Sequence, residues 1–318
     1  MMRSNDDIQK STEFYEKNYV IHKLIIPDGK KMFVGNKLKR KCRFCGKTEP
    51  EVSFKERAHA FPEFTGNKTH FSYEECDSCN HKFSEGIEDN LAKYTKNFHS
   101  FGQIRGKKGV PTIKNNVEGG EFRVELGKDA LEITIPQNSA VLSLEKNVAE
   151  FTVNTEPLIP LSAFKCLVKM GLSLLDKSEL ELFSDAITWL QQDICAPVNC
   201  PKELFRVMRT FTPGPIPYKG VHSCFFKRKD DSCSVPYMTY LTCFGNNTFQ
   251  IVLPCPKMDA GKGNLTFMSS VTPYELRKNS FGDFVNVFCE DWYSAEKQVF
   301  TQKIYMHFDK LVTMQNDV

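Results

Sequence analysis

The stretch Arg57–Phe83 reads RAHAFPEFTGNKTHFSYEECDSCNHKF, with three of the chain's seven histidines and a Cys-x-x-Cys pair, Cys76 and Cys79. A second such pair, Cys42 and Cys45, lies upstream, and thirty residues separate the two pairs. Zinc takes four soft ligands in a tetrahedron, and a two-residue gap lets one tight turn present both thiolates to one ion. The sequence therefore predicts a structural Zn²⁺ site made of these four cysteines.

The segment around the cysteines has a predictable order of elements. Alternating apolar residues predict a strand from about 52 to 62, which carries His59 and ends at Pro62. After the second cysteine pair, a helix is predicted to begin near Cys79, although Gly86 weakens it. One face of this helix is apolar and consists of Phe83, Ile87, Leu91 and Tyr94.

Together these pieces resemble the HNH endonuclease family, in the subclass whose ββα-metal fold contains a four-cysteine zinc site. The resemblance covers residues 40–95, under a fifth of the chain. The matching motifs are CRFC at 42–45, AHAFP at 58–62 for the family's acidic-His-x-x-Pro, TGN at 65–67 where the family often has Gly-Gly, and CDSCN at 76–80.

The resemblance implies metal-dependent hydrolysis of DNA phosphodiester bonds. His59 is at the position of the family's general base, and an imidazole with a pKa near 6.5 can accept a proton from water at neutral pH. Asn80 is at the family's position for a catalytic divalent ion, Mg²⁺ or Mn²⁺. That ion would neutralise charge on the scissile phosphate and stabilise the leaving 3′ oxygen. Four sulfur ligands close the zinc site to water, so the catalytic ion needs a second site.

The sequence departs from the family pattern at two positions. The family has Asp or Glu immediately before the catalytic histidine, where this chain has Ala58, with Glu56 nearby. The family's middle Asn corresponds to Phe71. The spacing does not choose between the candidates for the missing ligand, His70, His81 and Glu88. Glu88 lies two helical turns beyond Asn80, about 12 Å along the axis.

Basic residues are concentrated at the cysteine-bearing end. Residues 1–110 carry 21 Lys/Arg and 15 Asp/Glu, whereas residues 111–318 carry 21 and 24. Residues 30–47 hold eight basic residues and no acidic one. Such a cluster is typical of a polyanion-binding surface, although a solvated loop is the alternative. The residues predicted to contact DNA phosphates are Lys39, Arg40, Lys41, Arg43, Arg105, Lys107 and Lys108.

The predicted fold class is α+β, with a small zinc-containing ββα-metal (HNH) domain followed by a larger mixed α+β domain. A glycine-rich basic linker at 101–116 divides the chain into 1–115, with its nuclease core at 40–95, and 116–318. The second part contains predicted strands at 121–126 and 131–136, a helix at 161–175, and a hairpin around Gly245–Asn247.

The acidic second part is a poor non-specific DNA binder, which favours target recognition, regulation or homo-oligomerisation. We expect a signal ligand or a partner protein there and, by architectural analogy alone, a bacterial defence or restriction nuclease gated by this part. A nuclease acting on RNA has the same chemistry. The alternative function is a non-catalytic zinc-ribbon protein that binds nucleic acid, which Ala58 supports.

No apolar run reaches the length of a membrane span, so no membrane helix is predicted. The N-terminal residues are polar and lack the apolar core of a signal peptide. We therefore expect a cytoplasmic protein.

Overall fold

The computed structural model describes residues 4–137, 139–193, 200–212, 216–270 and 286–309. Up to residue 154, the helices and strands are α1 (Asn5–Asn18), β1 (Tyr19–Ile25), β2 (Met32–Val34), β3 (Ala58–His59), β4 (His70–Ser72), α2 (Asp77–Phe83), α3 (Asp89–Phe101), β5 (Ile113–Val117), β6 (Gly120–Leu126), β7 (Leu131–Thr134), β8 (Leu142–Glu145) and β9 (Val148–Asn154).

The later elements are α4 (Pro160–Leu174), α5 (Lys177–Leu180), α6 (Ser184–Gln191), β10 (Arg206–Phe211), β11 (Tyr218–Arg228), β12 (Met238–Gly245), β13 (Asn247–Val252), α7 (Pro256–Asp259), β14 (Asn286–Asp291) and β15 (Thr301–His307). Short 3₁₀ turns occur at Glu63–Thr65, Glu181–Phe183 and Lys202–Phe205. Strand β6, helix α4 and the β12–β13 hairpin confirm the corresponding sequence predictions.

The strands form one large sheet and three small ones. The large sheet has the order β1-β11-β12-β13-β10-β14, and its neighbouring strands are antiparallel. The small sheets have the orders β15-β9-β8, β2-β4-β3 and β5-β6-β7. Strand β1 thus pairs with a strand some two hundred residues later. The division at 115 stays a prediction, and β1 belongs to the sheet formed by the second part of the chain.

A long helical stretch leads from the second cysteine pair into the core. Helix α2, a π-helical segment at Ser84–Glu88 and helix α3 follow one another without a break. The π-helical segment contains Gly86, the glycine expected to weaken the helix. The stretch packs against α4, of which every residue is buried. No helix among the described residues is long and apolar enough to cross a membrane.

The strand predicted from about 52 to 62 is much shorter in the structure, where only Ala58–His59 is a strand. The reason is Asp77 at the start of α2. Its carboxylate accepts hydrogen bonds from the backbone N–H groups of Lys55 (3.0 Å) and Glu56 (2.9 Å). These amides face the helix N-terminus, where a negative charge is favourable, and so cannot pair with a neighbouring strand.

Arg43 joins the first cysteine pair to the end of α4. Its side chain is only 3% exposed and forms an ion pair with Glu74 at 2.8 Å. The guanidinium also donates to the carbonyls of Leu172 and Ser173, both at 2.8 Å. The last carbonyl groups of a helix have no N–H donor within the helix, and the guanidinium of Arg43 supplies a donor for two of them. This differs from the expected phosphate contact, so we leave Arg43 out of the proposed DNA contacts.

Replacing Arg43 by Leu should destabilise the protein strongly, because it removes one of the two cations paired with the buried carboxylate of Glu74 and leaves two helix-end carbonyls without their donor. We expect the free energy of unfolding to fall by about 3 kcal/mol in urea denaturation. The exposed Lys41 is the control, and Lys41→Ala should change the free energy of unfolding by less than about 0.5 kcal/mol. Equal effects of the two substitutions would contradict the buried role of Arg43.

Candidate functional site

The four cysteines predicted to bind zinc come together in the structure. The sulfurs of Cys42, Cys45, Cys76 and Cys79 all lie within 4.8 Å of one another, and those of Cys45 and Cys76 are 3.7 Å apart. A tetrahedral zinc ion with Zn–S bonds of about 2.3 Å places its sulfurs about 3.8 Å apart. The cluster therefore has the donor set and the size for one zinc ion. It is the one cluster of its kind among the described residues.

Two local structures place the sulfurs. In the first, the N–H of Gly46 donates to the carbonyl of Cys42 at 2.8 Å, and the positive φ of Gly46 (73°) suits a glycine. In the second, Cys76 is the N-cap of α2, which puts Cys79 in the first turn. The side chain of Gln191, from α6, donates to the sulfur of Cys79 at 3.4 Å. This outer contact comes from a helix more than a hundred residues away.

The thiols strongly perturb one another. A hydrogen bond from Cys79 lowers the pKa of Cys42 to about 4, and the same interaction raises the pKa of Cys79. Burial raises the pKa of Cys76 to about 11. One thiolate thus forms readily, whereas further negative charge in the cluster is unfavourable. A divalent cation would remove this repulsion, as expected for a metal-binding cluster.

His59 lies on the short antiparallel pair β3–β4, opposite Phe71. Its imidazole is half-buried and packs on the ring of Phe71, with centroids 4.9 Å apart. Burial lowers the pKa of His59 below its usual value near 6.5, and Lys169 lowers it further, whereas Glu63 and Glu88 raise it. The net effect leaves a neutral imidazole at neutral pH, which can accept a proton.

The loop between β3 and β4 is fixed by Asn67, which the sequence analysis did not single out. This side chain is 1% exposed. Its amide nitrogen donates to the carbonyls of Phe61 and His70, both at 2.8 Å, and its oxygen accepts from the N–H of His70 at 2.9 Å. Asn67 thus connects both ends of the loop after His59. A Gly-Asn pair between two strands was the available signal.

Asn80 and Glu56 meet at the start of α2. The side-chain nitrogen of Asn80 donates to Glu56 at 3.1 Å. Ala58 is 1% exposed and offers no ligand atom. Glu56 lies two residues earlier, at an exposed bend before the strand. A carboxylate therefore lies beside Asn80 even though Ala58 lacks one.

The three open candidates for a metal ligand have other partners. His70 is buried and shares a hydrogen bond with the hydroxyl of Thr69 at 2.9 Å. His81 is exposed and lies 3.5 Å from Glu85. The carboxylate of Glu88 lies 3.2 Å from the ammonium of Lys169. Among the described residues, no hydrogen bond or ion pair joins any of the three side chains to the side chain of Asn80.

Several of the predicted phosphate contacts lie beside the loop that follows His59. The chain at 102–109 packs there, because the backbone of Gly106 lies against Phe64. Hydrogen bonding from Lys68 lowers the pKa of Glu63, and the charge of Lys107 contributes. The exposed members of the predicted set are Lys39, Lys41, Arg105, Lys107 and Lys108. Arg40 is partly buried and donates to the carbonyl of Phe54 at 2.7 Å.

Arg57 is an exposed cation that the sequence analysis did not single out. Its guanidinium lies over the ring of Phe71, 5.2 Å from the centroid, and His59 packs on the same ring. The i, i+2 spacing of Arg57 and His59 on an extended chain was the signal for a shared face.

The comparison with known families agrees with this geometry. Residues 42–96 match the HNH endonuclease family model. We refer to these residues as the HNH segment; they contain the four cysteines, His59 and Asn80. The family resemblance of the N-terminal part is thereby confirmed. No curated protein and no solved structure gives a significant match to the chain.

Removing one cysteine of the HNH segment should abolish metal binding. Cys79→Ser removes one of the four ligands of a tetrahedral site. Its zinc content after dialysis should therefore fall from about one ion per chain to less than about 0.1. Atomic emission measures the zinc content. The control is Cys289→Ser, which changes an exposed cysteine outside the cluster and should retain full zinc. Equal zinc in both variants would exclude the four-cysteine site.

Proposed function

We propose that the protein is a metal-dependent endonuclease that hydrolyses DNA phosphodiester bonds at His59, in a ββα-metal arrangement stabilised by zinc. The observation that carries this proposal is a half-buried imidazole with a lowered pKa, on the strand pair that precedes the helix of a four-cysteine cluster. The HNH family match to the same residues supports it.

The proposed base follows from the surroundings of His59. A general base must be unprotonated, and burial keeps this imidazole neutral at neutral pH. In the proposed reaction, His59 takes a proton from the attacking water. The rate should therefore rise with pH through a pKa below about 6.5 and then level off near neutrality.

The catalytic divalent ion would be held by the oxygens of Asn80 and Glu56. Carboxylate and amide oxygens suit Mg²⁺ or Mn²⁺, and the two side chains already meet at 3.1 Å. When bound, the ion would neutralise negative charge on the scissile phosphate and the leaving oxygen. Glu56 then replaces the carboxylate that Ala58 lacks.

The DNA backbone would lie along the exposed basic residues near His59. Arg57 shares the Phe71 ring with His59, and the 102–109 chain packs on the loop that follows. We propose phosphate contacts by Arg57, Lys39, Lys41, Arg105, Lys107 and Lys108, with a smaller part for Arg40. A regulatory or oligomerising second part, a role in defence and a cytoplasmic location stay predictions from the sequence.

Replacing His59 by Ala should remove cleavage of supercoiled plasmid in Mg²⁺ or Mn²⁺. We expect kcat to fall by about 10²- to 10⁴-fold, because the water loses its base. Zinc content should be unchanged. The control is His81→Ala, which removes an imidazole that is 71% exposed and should leave kcat unchanged.

Three results would decide against metal-dependent catalysis by His59. Equal cleavage by the parent and His59→Ala would place the chemistry elsewhere. Cleavage in EDTA would exclude the metal-dependent mechanism. Tight DNA binding by the parent without any cleavage would favour the zinc-ribbon binding protein.

Removing either proposed ligand should weaken binding of the catalytic ion. In Asn80→Ala or Glu56→Ala, we expect the Kd for Mn²⁺ to rise at least about tenfold, since one of few protein ligands is lost. Electron paramagnetic resonance of free Mn²⁺ measures this without any substrate. Glu85→Ala is the control. The side chain of Glu85 is 71% exposed and follows Asn80 along the same helical stretch, so its removal should leave the Kd for Mn²⁺ unchanged. An unchanged Kd for Glu56→Ala would mean that Glu56 does not supply the carboxylate that the family pattern has at the position of Ala58.

A further inference from the structure

Helix α4 contributes a buried lysine to the site. The side chain of Lys169 has no exposed surface, and its ammonium lies 3.1 Å from Glu75 and 3.2 Å from Glu88. The same nitrogen donates to the backbone carbonyl of His59 at 3.2 Å. Lys169 therefore contacts three separate parts of the HNH segment: the strand with His59, the residue before Cys76, and the π-helical segment. It lies more than seventy residues beyond the end of that segment.

A charge at this depth requires partners. Removing an ammonium from water costs several kcal/mol unless other groups compensate. Burial lowers the pKa of Lys169, but the two carboxylates raise it more, so the side chain remains charged at neutral pH. The ammonium donates hydrogen bonds to the His59 carbonyl and to Glu88, and Glu75 adds an ion pair without a hydrogen bond. This arrangement fixes the position of the ammonium relative to the strand.

The strand that carries His59 is short. Strand β3 is two residues long, and its register with β4 comprises Ala58 with Ser72 and His59 with Phe71. Isolated strand pairs of this size are not stable in water. The contact from Lys169 reaches His59 itself, on its backbone. A shift of a base by 1 Å can reduce a rate about 10²-fold, so the backbone position matters for catalysis.

We propose that Lys169 is a positioning residue for His59, so that catalysis in the HNH segment depends on helix α4. This inference rests on the proposed nuclease function. It assigns a role to a residue outside the matched segment, which acts through the His59 backbone without touching DNA. The second part of the chain is then required to complete the active site, in addition to any recognition or regulation it provides.

The test uses a variant in which both members of the most buried ion pair become neutral. Lys169→Met with Glu75→Gln leaves the net charge unchanged and avoids an unpaired buried carboxylate, and Glu88 keeps its access to solvent. The control is Lys165→Met. Lys165 is one turn earlier on the same helix and is also fully buried, but it donates to the carbonyls of Gln192 and Asp193. Zinc content and melting temperature are measured for all three proteins.

Two readouts report on His59. The first is plasmid cleavage below the melting temperature, with kcat and KM determined separately. The second is the proton NMR spectrum of the imidazole, assigned with His59→Gln. Because His59 packs on the Phe71 ring, its ring protons should carry a ring-current shift that is lost when the strand moves.

We expect kcat of the double variant to fall at least about tenfold, with KM within about twofold, since the base moves while the DNA contacts remain. The ring-current shift of His59 should also be lost. In Lys165→Met, kcat and the ring-current shift of His59 should both stay at the values of the parent protein. A double variant with kcat and ring-current shift both unchanged would overturn the proposal, as would a fall in kcat with an unchanged ring-current shift. An equal loss in Lys165→Met would point to the whole helix and also reject a specific role.

An inactive parent protein would refute the nuclease function and would not affect the NMR comparison. Loss of the ring-current shift in the double variant alone would then still establish that Lys169 positions His59. Its retention would reject that role too.

Discussion

The convergence of four cysteine sulfurs is the constraint on which the site depends. It joins a glycine-containing turn near residue 45 to the N-terminus of α2. Between these two points the chain has few strand residues of its own, and the carboxylate of Asp77 takes up the amides that a longer strand would have used. With the sulfurs brought together, the intervening loop has to return to the helix, and His59 lies on that loop's short strand pair.

The helix that begins at Cys76 connects this small unit to the rest of the molecule. Helix α2, the π-helical segment and α3 form one path into the core, where they pack against α4. A π-helical segment inserts an extra residue and changes which side chains face the neighbouring helix. In this protein Glu88 ends that segment and pairs with Lys169 of α4. The irregularity therefore coincides with the contact between the matched segment and the remainder of the chain.

Three contacts show that the HNH segment is not structurally self-contained. Arg43 donates to the last carbonyls of α4, Gln191 donates to the sulfur of Cys79, and Lys169 donates to the carbonyl of His59. Each of these contacts joins a polar group of the HNH segment to a polar group of residues 160–191, and each lies in the interior or close to it. Buried polar groups that lose such partners destabilise a protein strongly. The family match ends at residue 96, but the interactions that support the site extend well beyond it.

The sequence by itself determined the four-cysteine cluster, the helix after it, the hairpin near residue 246 and the family resemblance. These features depend on local spacing: two-residue gaps between cysteines, apolar residues at helical intervals, and turn-forming residues between apolar runs. Patterns of this kind specify neighbours within a few residues and need no knowledge of the rest of the chain.

Only the tertiary structure decided which charged residues are exposed at the surface and which are buried in ion pairs. Arg43 and Arg57 look alike in a basic sequence, yet one is buried against α4 and the other is exposed beside His59. The pairing of β1 with β11, the hydrogen bond from Asn80 to Glu56, and the contact of Lys169 with His59 join residues that are distant in sequence or lie on different elements. Such pairings follow from how elements pack, and packing depends on the shape of the whole core. No local pattern records it.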